Sequence, residues 1–251
     1  MEVHAHAHTD PAHGGTSRKK FTHYLWEFLM LFLAVFCGFL AEYQLEHKIE
    51  KDREKQYIKS MIDDLKADTL MLQKNIALRQ NRIMMIDSLV GMLSSADRDK
   101  KGNNIYYFAR SISPPANIFP NDGTIQQLKS SGNLRLIRDN IIANKIMAYD
   151  QKMRSVLFEM GDEIEIRAEY RQLAIKLFRT NVFHEMLATD TMSHPLNNPQ
   201  LYTNDPGLIN EFIGQAQYFK KVHQTQLIRS RELLVLAQQL IADIKREYHL
   251  K

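Results

Sequence analysis

His184 and Glu185 stand together as the opening letters of the HExxH zinc helix, in which two histidines one turn apart ligate the metal and the glutamate acts as base. Ala188 occupies the place of the second histidine, so the motif is absent. Two carboxylate clusters, Asp63, Asp64 and Asp68, then Asp162, Glu163 and Glu165, are of the type that binds divalent cations or moves protons when side chains converge. Both lie in stretches that read as helix, where charges ordinarily face water, and the sequence supplies no converging partners. His4, His6, His8 and His13 offer imidazole nitrogens that bind a divalent transition metal loosely, without the fixed geometry of a dedicated site. Cys37 is the only cysteine and sits in the most hydrophobic segment, so neither a disulfide nor a cysteine zinc site nor an activated thiol is expected. No phosphate-binding glycine loop, dinucleotide fingerprint or G-x-S-x-G elbow occurs. The expectation is no catalytic residue, no cofactor-binding residue and no metal ligand in a protein that is not an enzyme.

The elements that would position any site are helical. Ten Gly and seven Pro in 251 residues leave long stretches without a breaker, which disfavours an all-β fold. Phe28 to Ala41 contains no polar side chain except Cys37, and Tyr24 and Trp26 at one end and Tyr43 at the other suit the headgroup level. From Thr22 to Tyr43 a helix is about 33 Å long, enough for a hydrocarbon core of about 30 Å. A transmembrane helix over residues 21–43 is therefore expected. Cleavage as a signal peptide is disfavoured, because cutting after Ala41 would put Phe39 where a small residue is needed. Arg18, Lys19 and Lys20 abut the N-terminal end, while Glu42 and Glu46 adjoin the other. Basic residues beside a span favour the cytoplasm, so residues 1–20 are expected to form a disordered His-rich cytoplasmic tail and 44–251 an extracytoplasmic domain at a bacterial inner membrane, in the periplasm. Glu27, an ionisable residue inside the span, lies close enough to the interface to reach headgroups or to meet His23 one turn back.

Beyond the span no Gly or Pro appears before Gly91. Ile58, Ile62, Leu65, Leu72, Ile76, Ile83, Ile86, Val90 and Leu93 follow a 4-3 spacing broken only by Thr69 and Arg79, which predicts a long amphipathic helix continuing from the membrane helix. Short helices are expected over 104–112 and 124–131, the second stopping at Gly132. Asp139 caps a further helical stretch reaching Leu177, with Ile164, Arg167 and Arg171 in its mixed pattern. After a loop with three prolines between His194 and Pro206, Asp205-Pro206 starts a last helix running to about Tyr248. Three long helices and two short ones form an all-α protein, an antiparallel helical bundle.

The stretches HYLWEFLMLFLAVFCGFLAEYQLEH, DREKQYIKSMIDDLKADT and TIQQLKSSGNLRLIRDNIIANKIMAYD, with the start MEVHAHAH, resemble a family of uncharacterised bacterial single-pass membrane proteins carrying a domain of unknown function. The resemblance covers about residues 1–70 and 115–155. It implies the single-pass topology and brings no activity, cofactor or site residue.

The net charge of +4, with 33 basic and 29 acidic residues interspersed, describes a solvated surface rather than a nucleic-acid footprint. Expected partners are the lipid bilayer and another protein or a second copy of the chain, with no nucleic acid. The function expected first is a membrane-anchored scaffold or protein-interaction module, using the bundle surface or the Pro114 to Gly123 loop. A ligand-sensing bundle is the alternative, and an enzyme of unknown reaction the third.

Overall fold

The computed structural model describes residues 17–187 and 191–250, with side chains from residue 21 onward. Expectations for the histidine tail over 1–16 lie outside the described residues. Among the described residues seven α-helices follow in order: α1 Ser17–Leu93, α2 Gly102–Ile112, α3 Gly123–Ser130, α4 Asn140–Glu159, α5 Gly161–Leu177, α6 Thr180–Glu185 and α7 Pro206–Glu247. Short 3-10 turns cover Arg98–Lys100 and Asn133–Leu136, and no strand occurs among the described residues. The chain is all-α, as its scarcity of breakers implied.

The described residues fall into two compact units, divided between Arg53 and Glu54. In the first, α1 begins at Ser17, so 17–20 are helical where tail was expected. Every residue from Phe21 to Ile49 is exposed, and this part of the chain is long and apolar enough to cross a membrane. Phe28, Phe32 and Phe36 stack one turn apart, with ring centroids 6.2 and 5.8 Å apart. His23 Nε2 meets Glu27 Oε1 at 3.2 Å, the local pairing expected of that carboxylate.

In the second unit three rods share one spacing. Buried residues of α1 recur three and four apart without interruption: Ile58, Met61, Leu65, Asp68, Leu72, Asn75, Arg79, Arg82, Ile86, Leu89 and Leu93. The same alternation runs from Ile142 to Leu177 through α4 and α5, and from Ile209 to Ile244 along α7. A seven-residue repeat keeps one stripe of each helix against its neighbours. Direction follows from the contacts. Pairs between α1 and the segment carrying α4 and α5 keep a nearly constant separation, 84 positions at Glu54 with Arg138, 81 at Asp68 with Tyr149 and 84 at Arg79 with Glu163, so those rods run parallel. Pairs between α1 and the last helical segment close from 194 positions at Glu54 and Tyr248 to 155 at Asn75 and Ser230 and 133 at Asp87 and Lys220. The last rod is therefore antiparallel to the other two.

The seam expected on α1 shares every second member with the observed stripe, and Ile62, between two of these, is buried in the core as well. Ile76, Ile83 and Val90 are only half-buried, because Asn75, Arg82 and Leu89 hold the intervening inward positions. Arg79, read as a break, is 0% exposed and part of the seam. The stretch after Asp139 divides at Met160 and Gly161 into α4 and α5, making four long helices rather than three. Its buried stripe nevertheless continues through the break with Glu163 inward, leaving Ile164 60% exposed.

Turn chemistry works as the residue types dictate. Asp139 accepts from Ile142 N at 2.8 Å, Asp205 Oδ1 accepts from Gly207 N at 2.9 Å behind Pro206, and Gly132 closes α3 at φ 66°. At Gly102 a Cβ would stand 2.2 Å from Pro199 O, so only glycine lets the 194–205 loop rest on the start of α2.

Candidate functional site

The inward stripes are apolar at both ends and polar in the middle. One core gathers residues such as Leu65, Leu72, Ile146, Val156, Leu233 and Leu240; another gathers Ile86, Leu93, Tyr106, Tyr170, Phe178 and Phe212. Between them Arg79 donates from Nη1 to Glu163 Oε2 at 2.9 Å, from Nε to Asn75 Oδ1 at 2.8 Å and from Nη2 to Ala116 O at 3.0 Å. His223 Nδ1 lies 3.1 Å from Arg79 Nη1 and accepts from it, which places the imidazole proton on Nε2. Ser230 Oγ donates to Asn75 Oδ1 at 3.2 Å, and Arg167 Nη1 lies 3.7 Å from Glu163 Oε1.

Three arginines and one glutamate leave this layer short of negative charge. Burial pulls the Arg82 guanidinium down to about 10, although Glu163 opposes the fall. Burial and the neighbouring Arg79, Arg82 and Arg167 push His223 down to about 3, so it is neutral at pH 7. Nε and Nη1 of Arg82, Nε2 of His223 and Oε1 of Gln226 find no hydrogen-bond partner among the described residues and are sealed from solvent. The layer is strained electrostatically and too closed to admit a ligand.

Its work is to hold the segment linking α2 to α3. Pro114 and Pro115 carry no N–H, so this segment offers chiefly acceptors. Arg171 Nη2 donates to Ser113 O at 2.5 Å, Arg82 Nη2 to Pro115 O at 3.4 Å, and Asn75 Nδ2 joins Arg79 on Ala116 O at 3.0 Å. Asp68 accepts from Asn121 N, Asn121 Nδ2 and Tyr149 OH at 2.8, 3.1 and 2.8 Å, and Asp64 Oδ2 accepts from Thr124 N at 3.0 Å, capping α3 from another helix. The expected carboxylate clusters are thus dispersed: Asp68 and Glu163 are buried and structural, whereas Asp63, Asp162 and Glu165 are exposed. Sequence reasoning placed them all in water because it had no view of the loop they bind.

Outside the polar layer, α2, α5 and α6 line an open cleft of about 340 Å³. Ala109, Tyr170, Ala174, Phe183 and Leu187 supply an apolar floor and walls, with Ile175 at the edge. The floor is firm: Tyr170 OH donates to Ala109 O at 2.9 Å, and the Phe183 ring lies 5.5 Å from Tyr106 and 5.3 Å from Phe178. Arg110 and Arg171 line the same cleft, and both are tied to Ser113, Arg110 donating to its Oγ at 2.7 Å and Arg171 to its carbonyl. Neither guanidinium forms an ion pair with a carboxylate among the described residues. Partial burial, then the nearby Arg167 and Arg110, lower the proton affinity of Arg171. His184, the remnant of the zinc pattern, lines the cleft, while Glu185 is exposed. Sequence reasoning missed this site, since residues 109–113, 170–175 and 180–187 meet only in the folded chain. Arg171 in an otherwise apolar spacing was its visible sign.

No family model, no curated protein and no solved structure matches this chain.

Proposed function

We propose that the chain is a membrane-anchored helical recognition module that binds rather than transforms its partner, with the α2, α5 and α6 cleft as the binding site. The observation that carries this reading is a pair of guanidiniums, unpaired with any carboxylate among the described residues, fixed over an apolar floor. A convergence of a few polar groups on an apolar concavity is the usual form of a ligand site. Arginine is protonated at neutral pH and offers no base, so this pair suits holding an anion. In this reading the span lies in the bilayer, Arg18, Lys19 and Lys20 keep the N-terminus in the cytoplasm, and the bundle faces the periplasm of a bacterial cell. Kinship with the single-pass family that the sequence resembles belongs to the same proposal, as does the absence of a nucleic-acid partner.

A photo-crosslinking amino acid at Ile175, compared with one at exposed Lys176 outside the cleft, tests the site in membranes of cells making the full chain. A discrete adduct is expected at 175 and not at 176. Adducts at neither position, or equally at both, would refute the site.

A second reading is favoured by one observation. Ser113, held by the cleft arginines, is three residues from Ala116, held by Arg79, so cleft and buried layer grip one short segment. That connection suits a ligand-sensing bundle, in which occupancy alters how firmly the segment is held.

A further inference from the structure

We infer that the cleft takes a single-chain anionic amphiphile, its acidic head on Arg110 and Arg171 and its hydrocarbon chain against Tyr170, Ala174, Phe183 and Leu187. This inference rests on the recognition reading and names its ligand class. Charge complementarity is the first argument. Two guanidiniums on one rim, each already using a donor on Ser113, retain further N–H groups that match the planar fork of a carboxylate or the oxygens of a phosphate. Water screens part of this attraction at exposed Arg171, while the apolar wall beside it lowers the local dielectric and strengthens the rest. Burial first, and then the positive charge of Arg167 and Arg110, lower the proton affinity of Arg171, and an anion relieves the second of these.

The apolar floor is the second argument. A small hydrophilic anion gains nothing from Tyr170, Phe183 and Leu187, so a ligand that uses the whole cleft carries hydrocarbon beside its charge. At about 340 Å³ the space falls at the lower end of the roughly 300 to 1,000 Å³ of small-molecule pockets. It suits one chain and not the two of a phospholipid. Exposed Ile175, 60% accessible, and Leu187, 46% accessible, extend the apolar path outward for a longer chain. Fatty acids and lysophospholipids share this chemistry.

The test uses the full chain in lipid nanodiscs with a photoreactive dodecanoic acid and, separately, the matching uncharged alcohol. Peptide mapping should place the acid label within residues 170–187, at least tenfold above the alcohol. Excess dodecanoate and lauroyl lysophosphatidate, added as competitors, show which head is preferred, and competition by either supports the inference. The Arg110→Gln, Arg171→Gln double variant should lose the label about tenfold. If that variant loses helicity, Ile175→Trp, which fills the cleft from an exposed position and keeps both charges, should abolish labelling in a folded chain. Equal labelling by the alcohol, or full labelling of Ile175→Trp, overturns the inference. Should the crosslinker at 175 capture a peptide while the acid fails to label, the recognition reading stands and the amphiphile is excluded. No adduct of any kind removes both.

Discussion

Arg79 occupies a heptad position that an apolar side chain would ordinarily fill, and each of its guanidinium nitrogens has an assigned acceptor. His223 is one of those acceptors only while neutral. Protonation would place a cation against Arg79, Arg82 and Arg167, while Glu163 is already engaged by Arg79 and Arg167. Its folded affinity for a proton, near pH 3, lies below the ordinary value of 6.5. The unfolded chain therefore binds more protons than the native one between these limits. Stability from this group is complete above about pH 6.5 and is lost as pH falls toward 3, at a slope approaching about 1.4 kcal/mol per pH unit. Denaturant titrations of the full chain from pH 7 to 5 should show that slope in excess over His223→Asn, whose amide oxygen keeps an acceptor near Nδ1. Coincident slopes for the two proteins would mean that His223 is not held neutral in the fold.

The helices themselves were legible where chemistry is local. Asp139, Asp205-Pro206 and Gly132 mark their boundaries by side-chain and backbone preferences that do not depend on distant contacts. The length of α1 was visible in its missing breakers. The phase of its buried stripe was not, since an apolar count passes over Asn75 and Arg82 and settles on Ile76 and Ile83 beside them, while Asp68 hides next to Thr69, read as a break. The same displacement chose Ile164 over Glu163 on α5. Only the partners of these polar groups, brought from 33 to 155 positions away, make them inward residues. The cleft was illegible for the same reason. The corrected stripe makes an unequal forecast: Leu72→Ala should cost about 2 to 5 kcal/mol, since that side chain is fully buried. Ile76→Ala, half-buried, should cost less than Leu72→Ala, and Lys74→Ala, exposed, less than about 0.5 kcal/mol. Thermal or denaturant melts of the three variants rank them. An Ile76 cost equal to that of Leu72 would restore the seam first read from the sequence.

At the level of the whole chain, a fully exposed apolar stretch from Phe28 to Ala41 belongs to one unit and two apolar cores to the other. The proposed orientation predicts what a membrane-impermeant thiol reagent reaches. With Cys37 replaced by Ala, Ser88→Cys on the exposed side of α1 should be labelled in intact spheroplasts, and Ser17→Cys only after lysis. Labelling of Ser17→Cys alone would reverse the topology.

The polar layer also gives the bundle an index mark. Three rods with the same seven-residue repeat have, in apolar terms, several alignments of nearly equal merit, each one heptad or about 10 Å from the next. Sliding the segment of α4 and α5 by one heptad along α1 would bring Glu163 opposite Leu72 or Ile86 and leave Arg79 without its carboxylate. Two buried charges would then stand uncompensated, at a cost of several kcal/mol each, far more than a shifted apolar contact gives back. A layer that adds little net stability where it lies thus disqualifies every neighbouring alignment, and the bundle has a single address.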